Sequence, residues 1–410
     1  MSSLILALAM SWGTASGLGR DSIPAGRADP FLDRWVDRAI ARHPEVEAAR
    51  WAVQAAQAVE SGARAWMPPT GQLQYQSDGR VDFSLSQMVP GFGKTTALAE
   101  VRSRRTGMVR FDSADRMRKL SLAVREAAWM EWMTWQKVRV LSQQDSAWER
   151  WARALERTQA QGMGSASETW IVRAKGVQAK ADLAKARAEA EAATAMRESW
   201  TGSDTLRLVA PPATPPDWDS LALLEASGYR ADIATMEADA AMQRAMAGSM
   251  RASLRPDFMV GAMAMRMTDG MPGWGVMVGM TLPFAPWSAS MATSEARGAE
   301  AAARASEANV EAMRRMAKSE VQGRSRRAIA AWNALRENDS LVLPGLRRAV
   351  DDARTRYAQG REMLSMVLSM EDMVRMSAMQ AIMFRGEYEL ERIRLLAAAG
   401  AEIQPEGGAK

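Results

Sequence analysis

Residues 87–96 read QMVPGFGKTT, and the reading of this stretch decides what kind of protein the chain is. Gly-Phe-Gly-Lys-Thr-Thr ends like a phosphate-binding loop and lies between an alternating, strand-like run and a long helical pattern. A phosphate loop needs a glycine five positions before the one that precedes its lysine, so that successive amides can wrap the phosphates. That position is Met88, and Gly91 is out of register. An apolar strand ending in a magnesium-binding aspartate is missing as well. What remains is a structural junction: Pro90 stops a strand ladder, and Gly91 and Gly93 allow a sharp turn into a helix that begins at Lys94.

Composition points the same way. Of 410 residues, 47% are hydrophobic and 25% charged, yet there are only 4 Tyr and 7 Phe against 31 Met and 15 Trp. With abundant alanine, this suits long helices better than an α/β enzyme. The net charge of +5 is spread over Arg/Glu-rich helical faces. Its short clusters, Arg102, Arg104, Arg105 and Arg324, Arg326, Arg327, read as solvated faces, because no exposed aromatic platforms interleave them as nucleic-acid binding would require. Cysteine is absent and histidine occurs once, at His43, which removes thiolate sites, disulfides and most imidazole chemistry. No catalytic constellation, cofactor site or metal site is legible.

Residues 1–17 have the shape of a secretory signal without its usual basic start: a short apolar core, Leu4 to Met10, then small residues. Elsewhere no apolar run reaches the ~18 residues of a membrane helix. A chain of this kind can cross a membrane only as a closed β-barrel.

The chain then repeats itself. Residues 31–202 and 221–400 share one order of events, separated by a proline-rich linker at 203–220 and followed by a flexible tail at 401–410. In the first half, Arg42-His43-Pro44-Glu45 opens an Ala-rich helix running to Arg64-Ala65-Trp66-Met67-Pro68. In the second, Tyr229-Arg230-Ala231-Asp232 opens one running to Arg251-Ala252-Ser253-Leu254-Arg255-Pro256. Alternating strand segments follow, 71–89 and 258–282, each closed by a proline, Pro90 or Pro283. Next come very long helical patterns, Lys94 to about Gln159 and Ser288 to about Ala358, interrupted only by Pro344. At ~1.5 Å per residue each spans roughly 100 Å. Both meet a glycine, Gly162 or Gly360, and reverse into a last helix ending at Gly202 or Gly400.

The strand segments are hairpins. Gly71 to Gln76 alternates with period two, Ser77-Asp78-Gly79-Arg80 supplies an Asp-Gly turn, and Val81 to Ser86 alternates back. Leu73, Tyr75, Val81, Phe83 and Leu85 fall on one face, and Gln72, Gln74 and Gln76 on the other. Phe258 to Met267 and Val276 to Leu282 flank a second turn. Two lone hairpins are not a stable sheet, so their edges call for further copies of the chain.

These elements together resemble the outer-membrane efflux protein family, the TolC-like channels, over Phe31 to Gly400. The carriers are the His-Pro-Glu-Val helix start, the Arg-x-x-x-x-Pro approach to each hairpin, and Phe-Ser-Leu-Ser-Gln-x-x-Pro-x-Phe-Gly-Lys at 83–94. Tyr-x-x-Gly at 357–360 and the closing Ala-x-x-Gly complete the set. The resemblance implies a mainly α fold with a small β part: a homotrimer whose long helical hairpins form an α-barrel through the periplasm. Each chain's two β-hairpins would contribute to a shared twelve-stranded β-barrel in outer-membrane lipid. It further implies a passive exit duct of a tripartite efflux or type I secretion system, not an enzyme, docking on a periplasmic adaptor and an inner-membrane pump. The docking tip would comprise Gly162, Gly164, Glu168, Tyr357, Gly360 and Met366. The barrel-to-helix junction would comprise Pro90, Gly91, Gly93, Lys94 and Pro283, with Lys94 at the periplasmic rim. The resemblance also implies carboxylates near the tip; Glu168 matches, whereas Met366 and Ser369 stand where others belong, with Glu371 and Asp372 just beyond.

Several residues carry two readings. Met363, Met366, Met370, Met373, Met376, Met379 and Met383 follow at steps of three or four; a coiled-coil seam is preferred to a thioether ladder for soft cations. Met259, Met263, Met265 and Met267 share a strand face and are taken as lipid-facing bulk. His43 is read as a helix cap, and Trp129, Trp132, Trp148 and Trp151 as packing between helices. The short first hairpin leaves open a soluble periplasmic coiled-coil adaptor or scaffold without a membrane barrel.

Overall fold

The computed structural model describes residues 30–400 except 76, 78–80, 162–164, 204–207, 267–271, 282 and 284–285. The expected signal segment 1–17, the tail 401–410, Gly162, Gly164 and Met267 therefore lie outside the described residues. Helix α1 (Pro30–Arg42) precedes α2 (Pro44–Ser61); strands β1 (Thr70–Tyr75) and β2 (Val81–Val89) lead into α3 (Lys94–Ala160) and α4 (Ala166–Thr201). The second half has α5 (Ser220–Ala226), α6 (Ala231–Ala252), β3 (Phe258–Arg266), β4 (Pro272–Met280) and α7 (Pro286–Glu337). A π-helical turn (Asn338–Val342) joins α7 to α8 (Leu343–Ala358), and α9 (Leu364–Ala398) ends the fold.

The helix signals act where the residues placed them. His43 caps α2: its Nδ1 accepts from the Glu45 amide at 3.3 Å, Pro44 fills the first helical position, and the ring stacks on Trp200 at 5.2 Å. Helix α8 ends in a Schellman turn, with Arg361 N donating to Arg356 O and Gly360 N to Tyr357 O, both 2.9 Å. Gly360 stands there at φ +70°, a conformation glycine enters without steric cost. Pro344 does not break the helical rod. The π turn just before it absorbs the missing amide, so α7 and α8 run on as one continuous element.

The two hairpins join into one antiparallel sheet in the order β1-β2-β3-β4, with β2 paired to β3 from Val81↔Arg266 to Val89↔Phe258. The outer edges of β1 and β4 have no strand partner among the described residues. The helices form a wall: α3 packs on α2, α4, α6 and α9, and α7 packs on α6 and α9. Hence α2 and α4 border one side of the wall and α7 and α8 the other.

Burial fits a wall one helix thick, for the apolar interior is broken into small clusters strung along the chain. The largest gathers Leu32, Trp35 and Val36 of α1 onto Val124, Ala128 and Trp129 of α3 and Ile393 of α9. Polar anchors reinforce it. Arg197 and Glu131 meet at 2.6 Å with side chains 0% and 2% exposed, and the Arg197 guanidinium lies 4.7 Å from the Trp35 ring. Arg125 pairs with Asp33 at 2.7 Å. Helix α1, the segment 208–219 and α5 thus form a belt on one side of the wall. There Tyr388 donates to Thr214 O at 2.7 Å, Arg385 to Pro211 O at 2.7 Å and Trp218 to Ser325 Oγ at 3.0 Å.

Candidate functional site: junction, inner surface and tip

At the junction, Gly91 is buried with its Cα against the Pro256 carbonyl, where a Cβ would come within 2.2 Å of the oxygen. Gly93 turns the chain at φ +82° as the N-cap of α3. Lys94 Nζ meets Asp257 Oδ2 at 2.7 Å, and the Gly91 amide donates to Asp257 Oδ1 at 2.8 Å. Asp257 is braced in turn by Thr281, whose hydroxyl accepts from the Asp257 amide at 2.8 Å. The exit of the first hairpin is therefore tied to the entry of the second. Burial raises the Asp257 pKa, but the hydrogen bond from Lys94, the Gly91 amide and the Lys94 charge outweigh it, so the carboxyl stays below its ordinary value. No sequence signal paired Lys94 with Asp257; only the β2–β3 pairing brings them together. Pro283 lies in a turn beyond β4.

Strand register sorts the sheet into two faces. One carries Leu73, Tyr75, Phe83, Leu85, Val260, Trp274, Val276 and Val278, all exposed, with Trp274 at 84%. The other carries Gln72, Gln74, Ser84 and Ser86 on the first hairpin and Met259, Met263, Met265 and Met277 on the second. This corrects the expectation that Met259, Met263 and Met265 share the lipid-facing side of Leu73 and Phe83, because the β2–β3 register places them opposite. Across β3 and β4 every inner pair joins a methionine to a glycine: Met259↔Gly279, Gly261↔Met277, Met263↔Gly275 and Met265↔Gly273. A Cβ on Gly279 or Gly275 would sit 3.1–3.2 Å from the facing methionine, so the glycines let these long side chains lie flat across the strands.

At the tip, Glu168 in the first turn of α4 and Tyr357 at the end of α8 are brought together from opposite halves. Burial, and then the Glu168 charge, push the Tyr357 phenol upward, and its ring meets Trp151 edge-on at 5.9 Å. Gly360 sits free of neighbours, and Met366 is exposed on the first turn of α9. The acids beyond Met366 are tied laterally: Glu371 accepts from Arg354 at 2.7 Å and from Trp151 Nε1 at 3.1 Å, and Asp372 meets Lys175 at 2.6 Å. Neither stands as a free carboxylate. Trp129 and Trp148 are buried between helices, as read from their spacing. Among the described residues no group of three or more His, Cys, Asp or Glu could hold a metal ion. Among them, too, no helix is long and apolar enough to cross a membrane.

No protein-family model matches this sequence, and no curated protein matches it. Solved structures do. CusC shares 15% identity over 95% of this chain and 96% of its own, with a TM-score of 0.77. A membrane protein from Pseudomonas aeruginosa shares 16% over 94% and 97%, at 0.78. The MtrE outer membrane channel of Neisseria gonorrhoeae, in its open state, shares 16% over 95% and 95%, at 0.77. The chain therefore has the fold of the TolC-like outer-membrane channels, from α1 to the end of α9.

Proposed function

We propose that this chain is one protomer of a homotrimeric exit duct in the outer membrane that extends into the periplasm. It conducts cargo passively for an efflux or type I secretion system and performs no chemistry of its own. The observation that carries this is the sheet: one face apolar and exposed, the other polar or methionine-lined, both edges unpaired among the described residues, continuing directly into a helical wall. An exposed tryptophan and valine face is costly in water, at about 25 cal/mol per Å², and is stable in lipid. Open strand edges are satisfied if three copies close a twelve-stranded barrel. The wall's own borders fit the same closure, since Trp51, Trp170, Ile171 and Val177 are exposed on one and Met291, Met316 and Ile329 on the other. These borders differ from one another, which suits a head-to-tail ring.

In this reading residues 31–202 and 221–400 are two structural repeats joined by the linker, and Lys94 marks the periplasmic rim of the barrel. The tip built from Glu168, Tyr357, Gly360 and Met366, with Gly162 and Gly164, docks a periplasmic adaptor that connects to an inner-membrane pump. Support for docking is positional, because the tip is where both helical hairpins reverse. The test is fractionation with cross-linking. The protein is expected in the membrane fraction, resistant to salt washing, released by detergent as a trimer. Release by salt alone, as a monomer, would mean a soluble coiled-coil scaffold instead.

A further inference from the structure

Two exposed helix faces, one on each border of the wall, fit one another. Helix α2 turns Val46 and Ala49 toward α3, where Thr106 and Arg102 donate to Ala56 O and Val59 O at 3.3 Å. At 100° per residue the direction opposite α3 is that of Trp51, which is 62% exposed, with the exposed Ala48, Ala55 and Ala58 around it. Glu47 stands beside the indole and accepts from its Nε1 at 3.5 Å. On the other border, α7 turns Val310 and Ala317 toward Ile233 and Ala240 of α6. Its opposite side carries Ala301, Ala305, Ala308 and Ala312, all exposed, and then Arg315, whose side chain is 80% exposed. The heights agree as well. Stepping across the wall by the contacts of Ala56 with Thr106, Arg118 with Asp232 and Glu237 with Arg314 brings Trp51 level with Ala312 and Glu47 level with Arg315, to within about one turn. Helices α2 and α7 run in opposite directions, and both charged residues lie about 40° to the same rotational side of the facing direction, which puts them on the same surface of the wall. That surface is the belt side, for Arg315 also lines a groove of about 690 Å³ beside Leu221 of α5.

We propose that these two faces form the joint between neighbouring copies: Trp51 of one copy seats on the floor made by Ala308 and Ala312 of the next, and Glu47 pairs with the next copy's Arg315. The occupant of each face is thus a second copy of this chain, and the proposal rests on the trimeric duct reading. Size and charge both support it. Alanines leave a shallow floor that another helix can approach closely, so an indole laid on it removes on the order of 150–250 Å² from water. Opposite charges then meet at one corner of the joint. Arg315 meets Glu311 of its own helix at 3.5 Å, an exposed pair of little energetic weight that leaves the guanidinium open to a second carboxylate. Lipid does not fit as the occupant, because Ala312 stands about 40 Å along α7 from the start of that helix at the sheet. The ion pair sets register more than affinity, since two alanine-lined helices could otherwise slide past one another. Three such joints close a head-to-tail ring.

Charge reversal and cysteine pairing test the joint on the full chain purified in detergent. Glu47→Arg and Arg315→Glu, each alone, are expected to lower the temperature at which the trimer dissociates by several degrees, and the two together to restore most of the loss. Trp51→Ala is expected to lower it as well. The chain has no cysteine of its own, so a pair can be introduced cleanly. Glu47→Cys with Arg315→Cys in one chain is expected to give covalent dimers and trimers on mild oxidation, because a disulfide requires Cα atoms within ~7 Å. Glu47→Cys with Ala301→Cys, about 20 Å further up α7, is expected to stay monomeric on a denaturing gel. Intact trimers whose stability ignores the charge reversals, or that give no cross-link between positions 47 and 315, overturn the joint. A wild-type chain that forms no trimer overturns the duct reading itself, which light scattering on the same samples detects.

Discussion

Gly91 shows how little room the junction leaves. Its Cα faces the Pro256 carbonyl so closely that any Cβ must displace backbone, and Gly91→Ala is expected to destabilise the protein by about 1–3 kcal/mol in denaturant unfolding. Gly360 differs in kind: nothing crowds it, and only its positive φ resists a side chain. Gly360→Ala should cost roughly 1–2 kcal/mol locally, leaving assembly intact. A bulkier residue there should impair export without dissociating trimers, and undiminished export would remove the tip assignment. For Asp257 the effect depends on pH. Its carboxyl is held below the ordinary value, so the stabilisation it contributes is complete above that value and is lost as pH falls through the folded-state pKa. Asp257→Asn should therefore unfold more easily than wild type at neutral pH. The difference should shrink as pH falls below about 3.9 and vanish only below the folded-state pKa.

Among the elements, the belt is fastened by buried charge. Glu131 accepts from Arg197 and from Thr194 Oγ1 at 2.8 Å, beneath Trp35 of α1. Glu131→Ala removes the nearest carboxylate from the buried guanidinium, which keeps Glu198 at 3.6 Å and Thr201 at 3.3 Å, and is expected to cost about 3 kcal/mol, with α1 becoming susceptible to limited proteolysis before the wall unfolds. On the other side of the belt, burial against the linker pushes the Tyr388 phenol up to about 12. Its neutral form is favoured in the folded state, so it contributes stability below the ordinary tyrosine value, lost as pH rises through the folded one. An ultraviolet titration should show a tyrosine phase near pH 12 that disappears in Tyr388→Phe. The β3–β4 hairpin adds a different lesson. Its Met–Gly pairs are visible in the sequence only as two glycine-rich, methionine-rich runs, because facing residues are defined by register and not by spacing along one strand.

For the whole molecule, the decisive feature is the set of borders that one chain leaves open. Outer strands unpaired among the described residues, an apolar sheet face and two helix borders with exposed hydrophobic side chains all fit an environment or a copy, which is why fractionation and oligomer analysis weigh more than any single substitution. Much of this was legible early. The proline and glycine positions around 90–94 located the strand-to-helix turn, His43 announced a cap, and the repeated order of elements pointed to long helices with two hairpins. Helix α1 and the π turn were not legible, since α1 is short and the π turn is a response to Pro344 in its packed surroundings.

The sequence by itself determined the local elements of this protein, because periodicity, proline and glycine act over a few residues through backbone sterics and hydrogen bonding. Tertiary structure alone decided which faces meet. It set Lys94 against Asp257, turned Met259 and Met263 away from Phe83, tied Glu371 to Arg354, and left the stripe from Met366 to Met383 uncovered. Each of these depends on contacts between residues far apart in the chain, and only packing and strand register define them.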